Sequence, residues 1–325
     1  MADSQQGISV EPRGNKLISR YKKTYGIPAE VHITEQMILA HWDLEKELTA
    51  ELRQSNPEDR WDTFDHCYTR LYAELEWLNQ FAGKADPQTP HEKFGRWLDL
   101  IGQPPKSIYE IGSGQGGLIS YLAAGGYDCR GTEITCERGQ QLIPESCANL
   151  SWGISDGVHL DAFEPPESYD VVVSDQVIEH IHPDDLDNHL RSVRTILKTG
   201  GKYIFNTPHR YTGPHDISRV FKCGEAAGMH LKEYTCRELV EAAERAGYRS
   251  THFGFVPRRF RMMLTAFGVK RFAGPDATES LFLRTELLAE KFLRVLRAAA
   301  LRHGCGKVFS KFGVFSETLS IVAEK

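Results

Sequence analysis

Tyr109-Glu110-Ile111-Gly112-Ser113-Gly114-Gln115-Gly116-Gly117 is the stretch on which the reading of this chain turns. Before it, Ser107 to Ile111 is a short strand-like run; after it, Gly117 to Ala124 reads as a helix stopped by Gly125. Glycines at such a junction let the backbone turn tightly and let a ligand lie against bare main chain at a helix N-terminus. The same alternation continues outward. Cys129 to Ile134 and Leu150 to Ser155 read as strands, and Asp170 to Ser174 as a continuous apolar strand buried on both faces. Pro183 opens a helix ending near Lys198, Thr199-Gly200-Gly201 makes a turn, and Lys202 to Asn206 is a fifth strand. Beyond a loop rich in Gly, His and Pro, Thr235-Cys236-Arg237-Glu238 is a capping box for a helix stopping at Gly247, and a strand follows from Arg249 to Phe255. Gly313 to Ala323 closes the pattern as a last strand. Repeated strand and helix units predict an α/β fold with a doubly wound parallel sheet.

The flanks are helical. Residues 1 to 30 are polar, with a Lys/Arg/Tyr cluster around Tyr21 to Tyr25, and read as a flexible arm. Thr34 caps a helix through Arg53, Asn56-Pro57 opens another through Phe81, and Thr89-Pro90-His91-Glu92 is a capping box for a third ending at Gly102. Residues 257 to 311 again read as helices. The expected organisation is an N-terminal arm and helical lid over 1–104, an α/β core over 105–256, a basic helical cap insertion over 257–312, and a last core strand over 313–325. Interruptions near 220 and 285, with the N-terminal helices, are expected to cluster on one side as a lid.

At 325 residues and 41% hydrophobic, the chain can bury a real core, which rules out disordered and collagen-like classes. A net charge of −5 argues against a surface built to neutralise nucleic-acid phosphates. No apolar run is long enough to span a membrane and residues 1 to 30 hold no signal-peptide stretch, so a soluble, cytoplasmic protein is expected. Seven cysteines without a C-x-x-C pair read as reduced thiols. Residues 257 to 311 hold 12 Lys/Arg against 4 Asp/Glu. One reading of that excess is a cap for an anionic or lipid-linked substrate that touches a membrane surface. The other is a solvated basic face paired with the acidic remainder.

Glu133, 21 residues past Gly112, ends the second strand, where a carboxylate can accept both hydroxyls of a ribose. Gly112, Gly114 and Gly117 also satisfy the dinucleotide G-x-G-x-x-G spacing, so a nicotinamide-dependent oxidoreductase is the main rival. Glu110 separates the two readings: inside the strand before the glycines it suits a cationic amino-acid tail and would repel a pyrophosphate. Asp156 follows the third strand, where it can accept from an adenine amino group, and Leu197-Lys198-Thr199-Gly200-Gly201 turns into strand five.

With these residues the chain resembles the class I S-adenosylmethionine-dependent methyltransferases, of the sort that includes the ubiquinone O-methyltransferases. The family's acidic residue followed by G-x-G-x-G appears as Glu110 to Gly116. Its acidic residue after strand two is Glu133, its adenine-side Asp is Asp156, and its Leu-Lys-Pro-Gly-Gly turn carries Thr199 in place of proline. The resemblance covers about residues 105 to 255 plus the last strand. It implies a Rossmann-like seven-stranded sheet with the final strand antiparallel between strands five and six. The cofactor it implies is S-adenosylmethionine, on Glu110, Gly112, Ser113, Gly114, Gly116, Glu133, Ile134, Asp156, Gly157, Asp175 and Gln176. Many relatives carry a Glu-His pair at the end of strand four, matched here by Glu179-His180. The ubiquinone branch binds a divalent metal through an acidic residue three positions before that Glu; the neutral Gln176 stands there, so no metal is expected.

An alcohol or phenol acceptor must lose its proton as the new bond forms, a task that suits a histidine. His180 or His182 is the expected general base beside Glu179, with no ground for choosing between them beyond the family's Glu-His pair; the bland alternative is that one caps the helix at Pro183 while the other fills a polar gap. The same base would serve a carbon acceptor. The loop after strand five offers His209, Arg210, Tyr211 and His215 as substrate contacts. Nucleic acid is not an expected partner: the Asn/Asp-Pro-Pro-Tyr/Phe motif usual in nucleic-acid amino-methyltransferases is replaced by Ser174-Asp175-Gln176-Val177. The function expected is methylation of a hydroxyl oxygen on a small molecule (a natural product, sugar or lipid-linked glycan), with carbon as second choice. A catalytically silent binding protein of the same fold is the remaining alternative.

Overall fold

Apolar side chains at alternate positions of β-branched runs commit those runs to a sheet with two covered faces. In the computed structural model, which describes residues 13–79, 81, 88–135, 147–266, 277–296 and 298–325, seven strands do so. They are β1 (Ser107–Ile111), β2 (Asp128–Glu133), β3 (Leu150–Ile154), β4 (Tyr169–Asp175), β5 (Leu197–Pro208), β6 (Ser250–Phe253) and β7 (Thr318–Glu324). The sheet order is β3-β2-β1-β4-β5-β7-β6, with β7 antiparallel to both neighbours and the other pairs parallel. The strand order reverses between β1 and β4, so the crevice at their carboxyl ends is the place where a doubly wound sheet binds its ligand.

Eleven helices are described: α1 (Gly14–Tyr25), α2 (Glu35–Gln54), α3 (Arg60–Glu74), α4 (Glu76–Asn79), α5 (Pro90–Ile101), α6 (Gly117–Ala124), α7 (Leu186–Ile196), α8 (Cys236–Arg245), α9 (Arg258–Ala266), α10 (Ala277–Val295) and α11 (Ala299–Phe312). Trp97 and Ile101 of α5 and Leu118, Ile119 and Leu122 of α6 cover one face, against Ile108, Val171, Val173 and Ile204. Leu190 and Val193 of α7, Leu239 of α8, Phe260 of α9 and Phe282 of α10 cover the other, against Tyr109, Val172, Tyr203 and Phe205. Val171, Val172 and Val173 are all fully buried, each stabilising the fold by roughly 1.5–3 kcal/mol.

Departures from the sequence expectation have local causes. The N-terminal arm is a helix over residues 14–25, because Leu17 and Tyr21 bury against α2 and Tyr21 hydrogen-bonds to His41 at 2.7 Å. The second helix starts at Arg60 rather than Pro57: the Arg60 guanidinium bonds back to Ser55 and out to Asp185 at 2.7 Å, holding 56–59 as a turn. It ends at Glu74, and Phe81 lies beyond a separate short turn of helix. Pro183–Asp185 forms a single 3₁₀ turn before α7. The last strand begins at Thr318, not Gly313, because Gly313 at φ +77° terminates α11. The cysteines are free thiols as far as they are described; Cys136 lies outside the described residues.

Of the segments expected to cluster on one side, the N-terminal helices and the loop after β5 contribute to the lining of the cavity over β1 and β4. α2 is sewn to the loop after β5: Glu45 accepts from Met229 N at 3.0 Å, Thr49 donates to Gly228 O at 2.5 Å and Arg53 to Leu231 O at 3.0 Å. The basic segment instead packs on α8 and β6, and none of its described residues reaches the cavity over β1 and β4.

Candidate active site

The turn after β1 is left-handed at Gly112, Gly114 and Gly116, with φ of +66°, +55° and +72°. A Cβ on Gly112 would stand 2.6 Å from Val177 Cγ2, so only glycine fits between β1 and the segment after β4. Gly114 donates its N–H to Glu133 Oε1 at 2.5 Å, which fixes that carboxylate at the tip of β2. Ser113 is buried, its hydroxyl accepting from Thr132 N at 3.2 Å, so it staples the turn to β2.

A cavity of about 740 Å³ opens over this turn. Its lining includes Gly112, Gly114, Glu133, Ile134, Asp156, Gly157, Asp175 and Gln176, and the aromatic side chains Tyr25, Trp61, Phe64, Tyr68 and Tyr72. Ser113, Gly116 and Glu110 lie outside the lining. Glu110 is 3% exposed, and its Oε2 has no hydrogen-bond partner. Burial above all pushes it up to about 8; Ser113 pulls it down, the carboxylates of Asp175 and Glu133 add smaller upward pushes, and the Ile119 backbone lowers it slightly. Asp156 caps its own turn, accepting from Val158 N and His159 N at 2.8 Å.

Sequence reasoning missed His189, which holds Gly157 of this lining from α7. Its Nδ1 donates to Gly157 O at 2.5 Å and its Nε2 accepts from Tyr203 OH at 2.9 Å. Burial holds it down at about 4, so it stays neutral. Nothing in the spacing of α7 separates His189 from an ordinary core position.

The lining also carries His180, His182, His215 and His230. His180 donates Nδ1–H to the carbonyl oxygen of Met229 at 3.0 Å, which leaves its lone pair on Nε2. His182 is the reverse, because its Nδ1 accepts from Asp184 N at 3.3 Å as the cap of the following turn. Glu179 is fully buried, accepts from Thr207 at 2.8 Å through Oε2, and has no partner on Oε1; burial above all pushes it up to about 7. His230 packs edge-on to His180, ring centroids 4.9 Å apart, and bonds to Glu233 at 2.9 Å. Burial alone would push His230 down, but Glu233 and the nearby Glu179 and Asp216 raise it to about 9. Glu233 also accepts from His215 N at 2.7 Å, and the two histidines overcome burial to hold it down at about 2. His230 was invisible in the sequence because it belongs to a loop whose position α2 sets. Glu179, His180 and His230 each offer a ligand atom, all within 4.8 Å of one another, a set able to hold a metal ion.

A family model described as a methyltransferase domain matches residues 84–252, more than half of the chain. The chain belongs to the class I S-adenosylmethionine-dependent methyltransferases. Among curated relatives, the ubiquinone biosynthesis O-methyltransferase of Aliivibrio fischeri is 29% identical over 188 residues, 56% of this chain and 64% of that protein. An uncharacterized methyltransferase of Bacillus mycoides is 28% identical over 107 residues, 33% of this chain and 49% of its own. The chain thus spans less than two thirds of these relatives' length. Among solved structures, a 1,6-didemethyltoxoflavin-N1-methyltransferase of Burkholderia thailandensis aligns at TM-score 0.49 and 11% identity over 83% of this chain and 91% of that one. A SAM-dependent methyltransferase of Archaeoglobus fulgidus aligns at 0.46 and 14%, over 79% and 99%.

The residues of this methyltransferase fit the family's cofactor. A buried carboxyl with an unsatisfied oxygen suits a cationic ligand, and the glycine turn leaves side-chain-free backbone beside Glu133.

Of the four expected substrate contacts in the methyltransferase, only His215 lines this cavity. His209 is wholly buried and bonds to Glu290 of α10 at 2.8 Å, with Glu286 at 3.6 Å, so it fastens the basic segment to the core. Arg210 pairs with Glu225 at 3.1 Å, and Arg210 and Tyr211 border a separate cavity of about 170 Å³. A dense set of donors in a loop signals partners, and here most of the partners are the protein's own carboxylates.

Proposed function

We propose that this methyltransferase methylates a hydroxyl oxygen of a small apolar or aromatic molecule, with His180 as general base. The carrying observation is the Nδ1–H bond from His180 to Met229 O, which fixes the tautomer with its lone pair on Nε2, the nitrogen a base needs. His182 spends its Nδ1 lone pair on a cap, so it is the poorer base.

Glu110, Gly112, Gly114, Glu133, Ile134, Asp156, Gly157, Asp175 and Gln176 would hold the cofactor, with Glu110 offsetting its positive charge from behind the glycine turn. Bound there, S-adenosylmethionine supplies a methyl group on a cationic sulfur, open to in-line displacement. The aromatic lining of Trp61, Phe64, Tyr68 and Tyr72 orients an acceptor by burying its apolar face, and alignment is most of what such a displacement requires. His180 takes the acceptor's proton at Nε2 as its oxygen forms the new bond. His230, tied to Glu233, stands edge-on to His180 where a cationic donor steadies a developing oxyanion. A carbon acceptor would use the same base to form an enolate-like nucleophile, and is the second reading.

Titration calorimetry with S-adenosylhomocysteine and NAD, followed by a panel of phenols and alcohols scored by S-adenosylhomocysteine release, tests the proposal. Binding of S-adenosylhomocysteine alone, with turnover of a hydroxylated acceptor, is expected. A response to NAD, or turnover confined to carbon acceptors, overturns the hydroxyl reading.

A further inference from the structure

Away from the cavity lies the outer face of α10 and α11. A surface helix normally presents one apolar stripe to the core and polar residues on the other side. α10 has two apolar stripes. Phe282, Glu286, Glu290 and Leu293 are buried, whereas Leu288, Phe292 and Val295, spaced i, i+4, i+7, lie on the opposite side in solvent. Leu301, Val308 and Phe312, spaced i, i+7, i+11, are exposed on α11, and Met262 is exposed on α9. These seven side chains are between 48% and 76% exposed, and Phe292 meets Phe309 with ring centroids 5.9 Å apart, so the two helices present one joined face.

The unburied charge on and beside these helices is mostly positive, with Glu279 and Glu317 as the acidic exceptions. Arg258, Arg259, Arg261, Arg284, Lys291, Arg294, Lys307 and Lys311 are exposed. Glu286 and Glu290, by contrast, are buried against Ser316 N and His209. Among the described residues, Arg261 with Glu279 is the one ion pair these cations make. Among the described residues, the remaining exposed cations of this segment make no ion pair and face outward beside exposed apolar side chains. No described helix is long and apolar enough to cross a membrane.

We infer that the α10–α11 face docks on an anionic phospholipid surface, with Leu288, Phe292, Val295, Leu301 and Phe312 entering the headgroup boundary and the flanking Lys and Arg resting on lipid phosphates. An apolar stripe rimmed by cations matches such a surface in both chemistry and sign. The cations add attraction that salt screens, and the apolar residues add a part that salt does not remove.

Co-sedimentation of the full chain with vesicles tests this, using pure phosphatidylcholine against phosphatidylcholine mixed with phosphatidylglycerol. Partitioning at least ~10-fold stronger onto the anionic vesicles is expected, falling as salt is added. Leu288→Gln with Phe292→Gln, and separately Lys291→Gln with Arg294→Gln, should each reduce it by ~5-fold or more while far-UV circular dichroism stays unchanged. No binding to anionic vesicles, equal binding to both vesicle types, or full binding by both double variants overturns the inference. So does a second copy on the same face, seen as a dimer in sedimentation velocity that Phe292→Glu converts to monomer.

Discussion

His180 and Met229 are joined by an Nδ1–H to carbonyl hydrogen bond of 3.0 Å, and that bond separates two histidines only two positions apart. Met229 N is itself held by Glu45 of α2, so the tautomer of the proposed base depends on a helix outside the α/β core.

His180→Ala is expected to lower kcat by ~100-fold or more with S-adenosylhomocysteine affinity nearly unchanged. His182→Ala should cost about 1 kcal/mol of stability through its lost cap and change kcat by less than ~3-fold. Steady-state kinetics with calorimetry on both variants decides; the reverse ranking would move the base to His182.

Glu110 links pH to cofactor binding. Its folded pKa of about 8 lies above the usual carboxyl value of 4.5, so the unliganded protein loses stability as pH rises from the lower value to the higher. A cationic ligand favours the ionised form, so affinity should increase with pH up to about 8 and then level off. Glu110→Gln should raise the apo-protein's Tm at pH 8, by a few kcal/mol of stability, while weakening the cofactor ~10-fold or more. Thermal shift and calorimetry across pH 6 to ~9 read both; a variant that is less stable and binds equally well removes Glu110 from the site.

His189 works in the opposite direction. It is held at about 4 in the fold against 6.5 when free, so its contribution is intact above 6.5 and disappears as pH falls to 4. Urea denaturation should show a loss of about 3 kcal/mol over that window, smaller by most of that amount in His189→Gln.

Glu290 accepts from His209, Cys236 N and Arg237 N, all buried or nearly so. Glu290→Gln should destabilise the protein by about 3 kcal/mol while KM for the acceptor and cofactor affinity stay within ~2-fold. A KM change without a stability change would return His209 to the substrate side.

A chelator should leave the rate unchanged. Loss of activity with EDTA, restored by a divalent cation, would instead place an ion on Glu179, His180 and His230.

What the sequence made legible was whatever local chemistry determines. The turn from Ile111 to Gly117 demands glycine wherever φ is positive, and the capping boxes at Thr89 and Thr235 close on residues three positions away, as the structure shows. α1 was lost because its amphipathic pattern acquires meaning only against α2. His230 and His189 were lost for the same reason: a loop and a helix face become part of a cavity only after distant elements pack. The placement of His209 has a different origin. A polar residue in a loop beside a site looks like a ligand contact until its buried partner on α10, eighty-one residues later, comes into view.

β7 lies between β5 and β6 although it is the last strand in chain order. During synthesis β6 therefore has no strand to bond with until β7 has left the ribosome, and one edge of β5 stays bare for the same interval. A nascent chain stalled before Thr318 would leave both β5 and β6 open at once, so the pairing of β7 decides whether the sheet closes or its edges are left to chaperones.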